Sequence, residues 1–452
     1  MESIAAISTA PGTGGVAIIR ISGDDSLLIA KKMFYPIGKT QVENFEPYKM
    51  YVGEIKAENF SDNGMCVYFK APKSFTGEDV VEFHCHGGIV ISHGILDRIF
   101  ALGARPATNG EFTKRAFLNG KLSLSSCEGL IDMINSESVA QIKAGFYLFK
   151  EKLKEKIVSI QSELTVILAG IDANIDYPEE GLIDDDGEQI KEKLIELKNL
   201  LKPLLDSYSQ GKVITNGVKV ALSGKTNTGK SSLLNMLTGE QRAIVTNVAG
   251  TTRDVVEGSV FIRGIKFTLF DTAGIRETDD PVEKIGIKRS NDLIDSADVV
   301  IFVKDSTESF EDLQAFEQKL SGKKVIYVRN KCDLIDKKSK YNAENSDEQK
   351  DNEIFVSCLT GEGKDELLNA LFNAGAGGVK TDGEYVTQKR HYFALSDAYA
   401  ALQTAIDRIS DTPLDLVACD IKECWSKLGE ITGTTASEDI INEIFSRFCV
   451  GK

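Results

Sequence analysis

The stretch that most constrains this chain is Gly224-Lys225-Thr226-Asn227-Thr228-Gly229-Lys230-Ser231, which fits the pattern G-x-x-x-x-G-K-[ST] of a phosphate-binding loop. The flanks agree with it. Val218 to Leu222 alternates apolar and polar side chains and is rich in β-branched residues, so it reads as a strand. Ser232 to Leu237 reads as a helix ending near Gly239. In such a strand–loop–helix the backbone N–H groups of the loop and the positive end of the helix attract phosphate oxygens. Lys230 is expected to reach the β- and γ-phosphates and Ser231 to ligate Mg²⁺.

A chain of 452 residues is expected to form two to four domains. With 42% hydrophobic and 27% charged residues it has an ordinary globular composition. No long uncharged apolar run is found, so no membrane span is expected, and Ile4 to Ile7 is too short for a signal-peptide core. The net charge of −15 argues against a broad nucleic-acid-binding face. Eight cysteines without zinc or disulfide spacing suggest a reduced compartment, hence a cytoplasmic location.

Along the chain, residues 1–120 read as a compact α+β domain. Its strands are Gly15 to Ile21, Met50 to Ile55, Met65 to Phe69 and Val80 to His84, and a helix follows from Ile89 to Leu102. Residues 121–214 read as helical. Leu153, Ile157, Ile160, Leu164 and Ile167 recur at spacings of three and four and form one apolar stripe. The connection from Asp172 to Glu188 holds eight acidic and no basic side chains and reads either as a solvated loop or as a metal site. A further helix is expected from Ile190 to Tyr208.

Residues 215–376 alternate strand and helix. Ala297 to Val303 and Lys324 to Val328 are near-continuous apolar runs of the kind found in buried parallel strands. Lys337 to Glu353 is expected to be a loop, and Ala374 to Gly378 a flexible linker. Residues 377–452 read as three helices, Lys389 to Ile409, Leu414 to Leu428 and Ser437 to Phe448. Helices thus flank the α/β segment on both sides. The economical architecture is one discontinuous helical domain with the α/β domain inserted in it.

Four more elements follow the loop in the order of a nucleotide site. Asp271-Thr272-Ala273-Gly274 ends the strand Phe267 to Phe270, where Asp271 can hold the Mg²⁺ shell and the Gly274 N–H can sense the γ-phosphate. Upstream, Thr252 in Gly250 to Asp254 offers a second hydroxyl to Mg²⁺. Asn330-Lys331-Cys332-Asp333 fits N-K-x-D, whose carboxylate accepts from guanine N1–H and the 2-amino group; adenine would leave it unpaired. Ser357-Cys358-Leu359 would bring backbone N–H groups to the guanine oxygen. These elements together imply a Ras-like GTP-binding domain. Ile275 stands where a water-orienting glutamine would be expected. Glu283 is either a water-positioning base or a solvated glutamate. Asn227 either ligates a monovalent cation beside the phosphates or makes a hydrogen bond within the loop.

Taken with both ends of the chain, these residues resemble the tRNA-modification GTPase MnmE (TrmE) family. The resemblance is carried by Gly14 to Gly23, Ser74-Phe75-Thr76-Gly77-Glu78-Asp79, His86-Gly87-Gly88, Arg115 to Asn119, Ala249 to Asp254, Asp271 to Arg276 and the closing Phe448-Cys449-Val450-Gly451-Lys452. It runs essentially from end to end. It implies a multidomain α+β and α/β protein with an N-terminal domain (residues 1–120) that binds folate and dimerises, a discontinuous helical domain, and an inserted P-loop G domain.

It further implies K⁺-stimulated GTP hydrolysis when two G domains meet. Asn227, Thr246, Val248 and Thr251 would coordinate K⁺, Ser231 and Thr252 would coordinate Mg²⁺, and Glu283 matches the catalytic glutamate. The implied GTP contacts begin with Asn227, Thr228, Gly229, Lys230, Ser231 and Ser232. They continue through Thr246, Asn247, Val248, Ala249, Gly250, Thr251 and Thr252 to Asp271, Thr272, Ala273 and Gly274, and finish with Asn330, Lys331, Asp333, Ser357, Cys358 and Leu359.

For a 5-formyl-tetrahydrofolate or related tetrahydrofolate, Arg20, Glu82, Lys121 and Lys452 match the contacting positions. The family works with the flavoprotein MnmG (GidA), in an expected heterotetramer, at carbon 5 of the wobble uridine of tRNA. Two departures are visible: Val450 stands for the usual isoleucine and Thr226 for the usual proline. Cys449 reads either as a nucleophile or as a non-catalytic thiol. On a strand His84 and His86 share a face and Cys85 points away, which favours packing over a metal site. The competing classes are a ribosome-assembly or regulatory GTPase without a modification role, and a folate-dependent transferase in which the G domain is only a gate.

Overall fold

The computed structural model describes residues 2–176, 187–239, 256–271, 292–307, 322–335 and 353–452. They divide into two compact units, one of Met1–Ile134, Gly145–Leu200 and Phe393–Lys452, the other of Asn135–Ala144 and Leu201–Tyr392.

The first unit contains a seven-stranded sheet of β1 (Ile4–Ile7), β2 (Val16–Ser22), β3 (Phe34–Pro36), β4 (Met50–Lys56), β5 (Ser61–Phe69), β6 (Val80–His86) and β7 (Arg105–Pro106), in the order β3-β4-β5-β6-β2-β1-β7. Its neighbours are antiparallel except the β1–β7 pair. Alternation along β2 and β6 sends Ala17, Ile19, Ile21, Val81, Phe83 and Cys85 into one core with Ile95 and Ile99 of helix Ile89–Ala101 and with Ile29 and Met33 of helix Ser26–Met33. The same alternation puts Ile18, Arg20, Glu82 and His84 on the opposite face, where Arg20 lies across from Glu82 and Ile18 from His84. A slip of one residue would exchange the faces, so the apolar set fixes where the charges stand. The expected strands are present; β5 starts at Ser61 rather than Met65, and the short β1, β3 and β7 were not foreseen.

The helical stretch from Ser125 is broken into Leu124–Ile134, Val139–Phe149 and Lys152–Asp176. One break is a capping box: Gln141 N donates to Ser138 Oγ at 3.2 Å while Ser138 N donates to Gln141 Oε1 at 3.1 Å. The second break is Glu151, which adopts φ 59°. The stripe Leu153, Ile157, Ile160, Leu164 and Ile167 is buried throughout, each such side chain contributing roughly 1.5–3 kcal/mol of burial. Gln161 Nε2, on this helix, donates to Trp425 O at 2.8 Å on helix Leu414–Thr432. Helices on either side of the α/β segment therefore belong to one packed body, and the α/β segment is an insertion. Helix Gly187–Asn216 is longer than the expected Ile190 to Tyr208; Lys389–Arg408 and Glu438–Ser446 complete the set. The residues 177–186 of the acidic connection lie outside the described ones.

The second unit holds a six-stranded sheet of β8 (Val218–Ser223), β9 (Val256–Ile262), β10 (Ile265–Asp271), β11 (Val299–Asp305), β12 (Lys324–Asn330) and β13 (Glu353–Val356), in the order β13-β12-β11-β8-β10-β9. All pairs are parallel except β9–β10. Although Val218 to Leu222 alternates in sequence, β8 is buried on both faces: Val220 and Leu222 join the main core and Ala221 packs with Ile294, Ala297 and Val300.

The expected linker Ala374 to Gly378 is a correction. Helix Lys364–Ala376 runs through its first half, and a Cβ on Gly375 would come within 2.6 Å of Val218 Cγ1. Glycine there lets the helix sit close on β8 and confers no flexibility. Of Lys337 to Glu353, residues 337–352 lie outside the described ones and Glu353 opens β13.

Candidate functional site

β8 ends at Ser223, and helix Lys230–Thr238 starts six residues past Gly224, leaving the phosphate loop between them at the carboxyl end of a central strand. Close approach explains its two motif glycines. Gly224 has φ 141° with Val303 O 2.1 Å from where a Cβ would sit, and Gly229 has φ 92° with Asn330 Nδ2 at the same distance. Lys230 Nζ lies beneath the loop, donating to Gly224 O at 2.8 Å and Lys225 O at 2.5 Å. Burial pushes its pKa down and the nearby Asp271 pushes it up, with burial prevailing. Ser231 Oγ donates to Asp271 Oδ2 at 2.6 Å, and Asp271 is only 1% exposed. A hydroxyl and a carboxylate oxygen in contact are hard donors of the kind Mg²⁺ takes, so these two residues fit that ion.

The base-reading residues join the same end of the sheet. Asn330 Nδ2 donates to Thr228 O at 2.9 Å and Cys358 N donates to Asn330 Oδ1 at 3.4 Å, tying the phosphate loop, the N-K-x-D segment and the Ser357-Cys358-Leu359 segment together. Ser357 Oγ donates to Asp333 Oδ1 at 2.6 Å. Lys331, in the left-handed region at φ 63°, pairs with Asp305 Oδ2 at 2.6 Å. Burial would raise the Asp305 pKa, but Lys331 and the Thr307 N–H and hydroxyl outweigh it and hold the carboxyl below its usual range. Burial pushes the Cys358 thiol up to about 11, which leaves it protonated and non-nucleophilic. Leu359 is 86% exposed. Asn227 has φ 63°. Sequence reasoning missed Asp305; the signal was the need of an N-K-x-D lysine for an anion at the end of the preceding strand.

Thr246, Asn247, Val248, Ala249, Gly250, Thr251, Thr252, Thr272, Ala273, Gly274 and Glu283 lie outside the described residues.

In the first unit Arg20 and Glu82 meet directly, Nε to Oε1 at 2.8 Å, with His84 Nε2 3.5 Å from Glu82 Oε2. Burial would raise the Glu82 pKa; hydrogen bonds and charge from His84 and Arg20 outweigh it and hold the carboxyl low. Lys121 Nζ donates to Pro72 O at 3.0 Å. Lys452 follows Gly451, whose carbonyl accepts from Ser8 Oγ at 3.1 Å, while Val450 bridges to Asn109. Cys449 is exposed and its carbonyl accepts from Gly110 N at 3.4 Å. Cys85 points into the core and donates to Ala17 O, whereas His86 Nδ1 is 2.6 Å from Asp62 Oδ1. His84 and His86 thus answer separate carboxylates.

Loop Ser74 to Asp79, singled out by sequence alone, is hydrogen-bonded at every polar residue and leaves Phe75 partly exposed, with the Arg20 guanidinium over its ring.

A family model described as the GTP-binding protein TrmE N-terminus matches residues 3–121, and one described as the MnmE helical domain matches residues 124–449. Among curated proteins, the tRNA modification GTPase MnmE of Natranaerobius thermophilus is 40% identical over 100% of this chain and 99% of its own. That of Clostridioides difficile is 41% identical with the same coverage. Among solved structures, Era of Aquifex aeolicus bound to GDP and AlF₄⁻ aligns at 27% identity over 41% of this chain and 66% of its own, with a TM-score of 0.29. On its family models and its full-length relatives, the chain is a GTP hydrolase and belongs to the tRNA modification GTPase MnmE family.

Proposed function

We propose that this GTPase acts as a cytoplasmic homodimer whose K⁺-stimulated hydrolysis cycle drives a conformational step in modification of carbon 5 of the wobble uridine of tRNA. It does so with the flavoprotein MnmG, in a heterotetramer, and a tetrahydrofolate one-carbon unit. Its domains are taken as 1–120, 121–214, 215–376 and 377–452. The observation that carries the reading is the Ser231–Asp271 contact of 2.6 Å beside the buried Lys230. Among the described residues no helix is long and apolar enough to cross a membrane.

In this reading the loop N–H groups and the Lys230 ammonium bind and orient the β- and γ-phosphates. Ser231, Asp271 and Thr252 would hold Mg²⁺, which when bound would offset the phosphate charge. Asn227, Thr246, Val248 and Thr251 would hold K⁺, whose charge would offset the negative charge that develops on the phosphates. Glu283 orients the attacking water, and Asp333 selects guanine. Arg20, Glu82, Lys121 and Lys452 hold the folate, with the cations suited to its carboxylates and Glu82 to an amino-ketone edge.

The test is GTP turnover by the full chain in KCl against NaCl at matched ionic strength. Turnover that rises strongly only with K⁺ supports Asn227 and the Thr246–Thr251 loop as a cation site. Equal turnover in the two salts removes the cation mechanism and reopens the reading of a regulatory GTPase.

A further inference from the structure

Every polar residue of loop Ser74 to Asp79 is hydrogen-bonded, within the loop, to β2 or to neighbouring segments. Ser74 Oγ donates to Glu78 O at 2.5 Å, and Ser22 Oγ on β2 contacts Thr76 Oγ1 and Glu78 Oε2, both at 2.7 Å. Thr76 O accepts from Asn119 Nδ2 at 2.7 Å, Gly23 N donates to Asp79 O, and Ala71 N donates to Asp79 Oδ1. Behind the loop a chain of charges runs from Glu78 through the buried Arg115 and Glu111 to the partly exposed Arg105.

Phe75 alone is left out. It is 37% exposed, and its ring lies 5.5 Å from the Arg20 guanidinium, which Phe112 approaches at 5.7 Å. Arg20 is fixed through Nε to Glu82, and among the described residues its two terminal amino groups have no partner. A hydrogen-bonded loop therefore holds a partly exposed aromatic ring beside the Arg20 guanidinium, a carboxylate and the His84 imidazole.

We propose that Phe75 is a ligand-contacting, specificity-determining residue: its ring stacks on a planar heterocycle whose amino-ketone edge is met by Glu82, beside the Arg20 guanidinium. This rests on the reading that these two residues bind a reduced folate. It adds a residue that reads aromatic shape, where the charged residues read only polar groups. Glu78 and Arg115 act as positioning residues, through the loop.

The experiment is calorimetric titration of the full-length protein with 5-formyl-tetrahydrofolate, together with the ultraviolet difference spectrum of the saturated complex. The variants are Phe75→Leu, which keeps the apolar bulk, Phe75→Tyr, which keeps the ring, and Arg20→Ala. Stacking predicts that Phe75→Leu weakens binding about 3- to 10-fold and changes the difference spectrum at saturation, while Phe75→Tyr restores both. Wild-type affinity and spectrum in Phe75→Leu, or loss in Phe75→Tyr as large as in Phe75→Leu, overturns the proposal. If Arg20→Ala abolishes binding while both Phe75 variants bind normally, only the role of Phe75 fails. If the wild type does not bind, or Arg20→Ala binds as well as wild type, the folate reading of this face fails and Phe75 falls with it.

Discussion

A hydroxyl steadies the residue that should read the base: Ser357 Oγ donates to Asp333 Oδ1 at 2.6 Å, and the second lone pair of that oxygen stays open to guanine beside Oδ2. Both guanine groups facing Asp333 are donors, so both carboxylate oxygens must accept. An amide at this position has one acceptor and one donor, which matches a purine with N1–H and a 2-oxo group. Asp333→Asn is therefore expected to weaken GTP by about 10- to 100-fold, the loss of a charge-assisted hydrogen bond, and to favour XTP; competition of the two nucleotides in a turnover assay decides it. The residues of the phosphate loop and Asp333 were legible in the sequence because each lies in a short pattern with fixed spacing. The Asn330–Thr228 bond was not, since its partners are 102 residues apart and only the parallel order of β8, β11 and β12 brings them together.

At the scale of elements, helix Glu111–Leu118 is tied to the loop at 74–79 by charge. Burial would raise the Glu111 pKa, but the two Arg105 hydrogen bonds, the Thr108 N–H and Arg115 outweigh it and bring it to about 2 from an ordinary value of 4.5. The folded state thus binds fewer protons at this site than the unfolded chain. The stability this gives is complete above pH 4.5 and is lost as pH falls toward 2. Glu111→Gln should flatten the pH dependence of urea unfolding in that window and lower stability near neutrality; an unchanged acid limb would contradict the assignment. The elements themselves were legible where hydrophobic period was sustained, as in Lys152–Asp176, and illegible where tertiary pairing made the element. β1 has four residues and exists because β2 and β7 flank it. Gly375 shows the opposite error: a glycine-rich run suggested a linker, and the real cause was close packing on Val218.

At the scale of the molecule, the body that carries the seven-stranded sheet is assembled from both ends of the chain. Helix Leu414–Thr432 covers the stripe that begins at Leu153, and Gly451 O accepts from Ser8 Oγ, residues 443 apart in sequence. A chain ending at Thr412 should leave that stripe in water and lose protease resistance within residues 152–176, although the cut lies far downstream. Limited proteolysis with fragment mapping measures this, and protection equal to the full chain would contradict it. The insertion was legible from helices on both sides of the α/β pattern. The docking of the last five residues against Ser8, Asn109 and Gly110 was not, because no local period encodes it.

That closure has a consequence in time. The inserted α/β unit is nearly contiguous in sequence, so it can close while the chain is still being made. Helix Lys152–Asp176 must wait for Leu414, about 240 residues later, or roughly 10–50 s at ordinary rates of synthesis. Through that interval its apolar stripe has no cover of its own, and this is the period in which a translating ribosome would present it to chaperones.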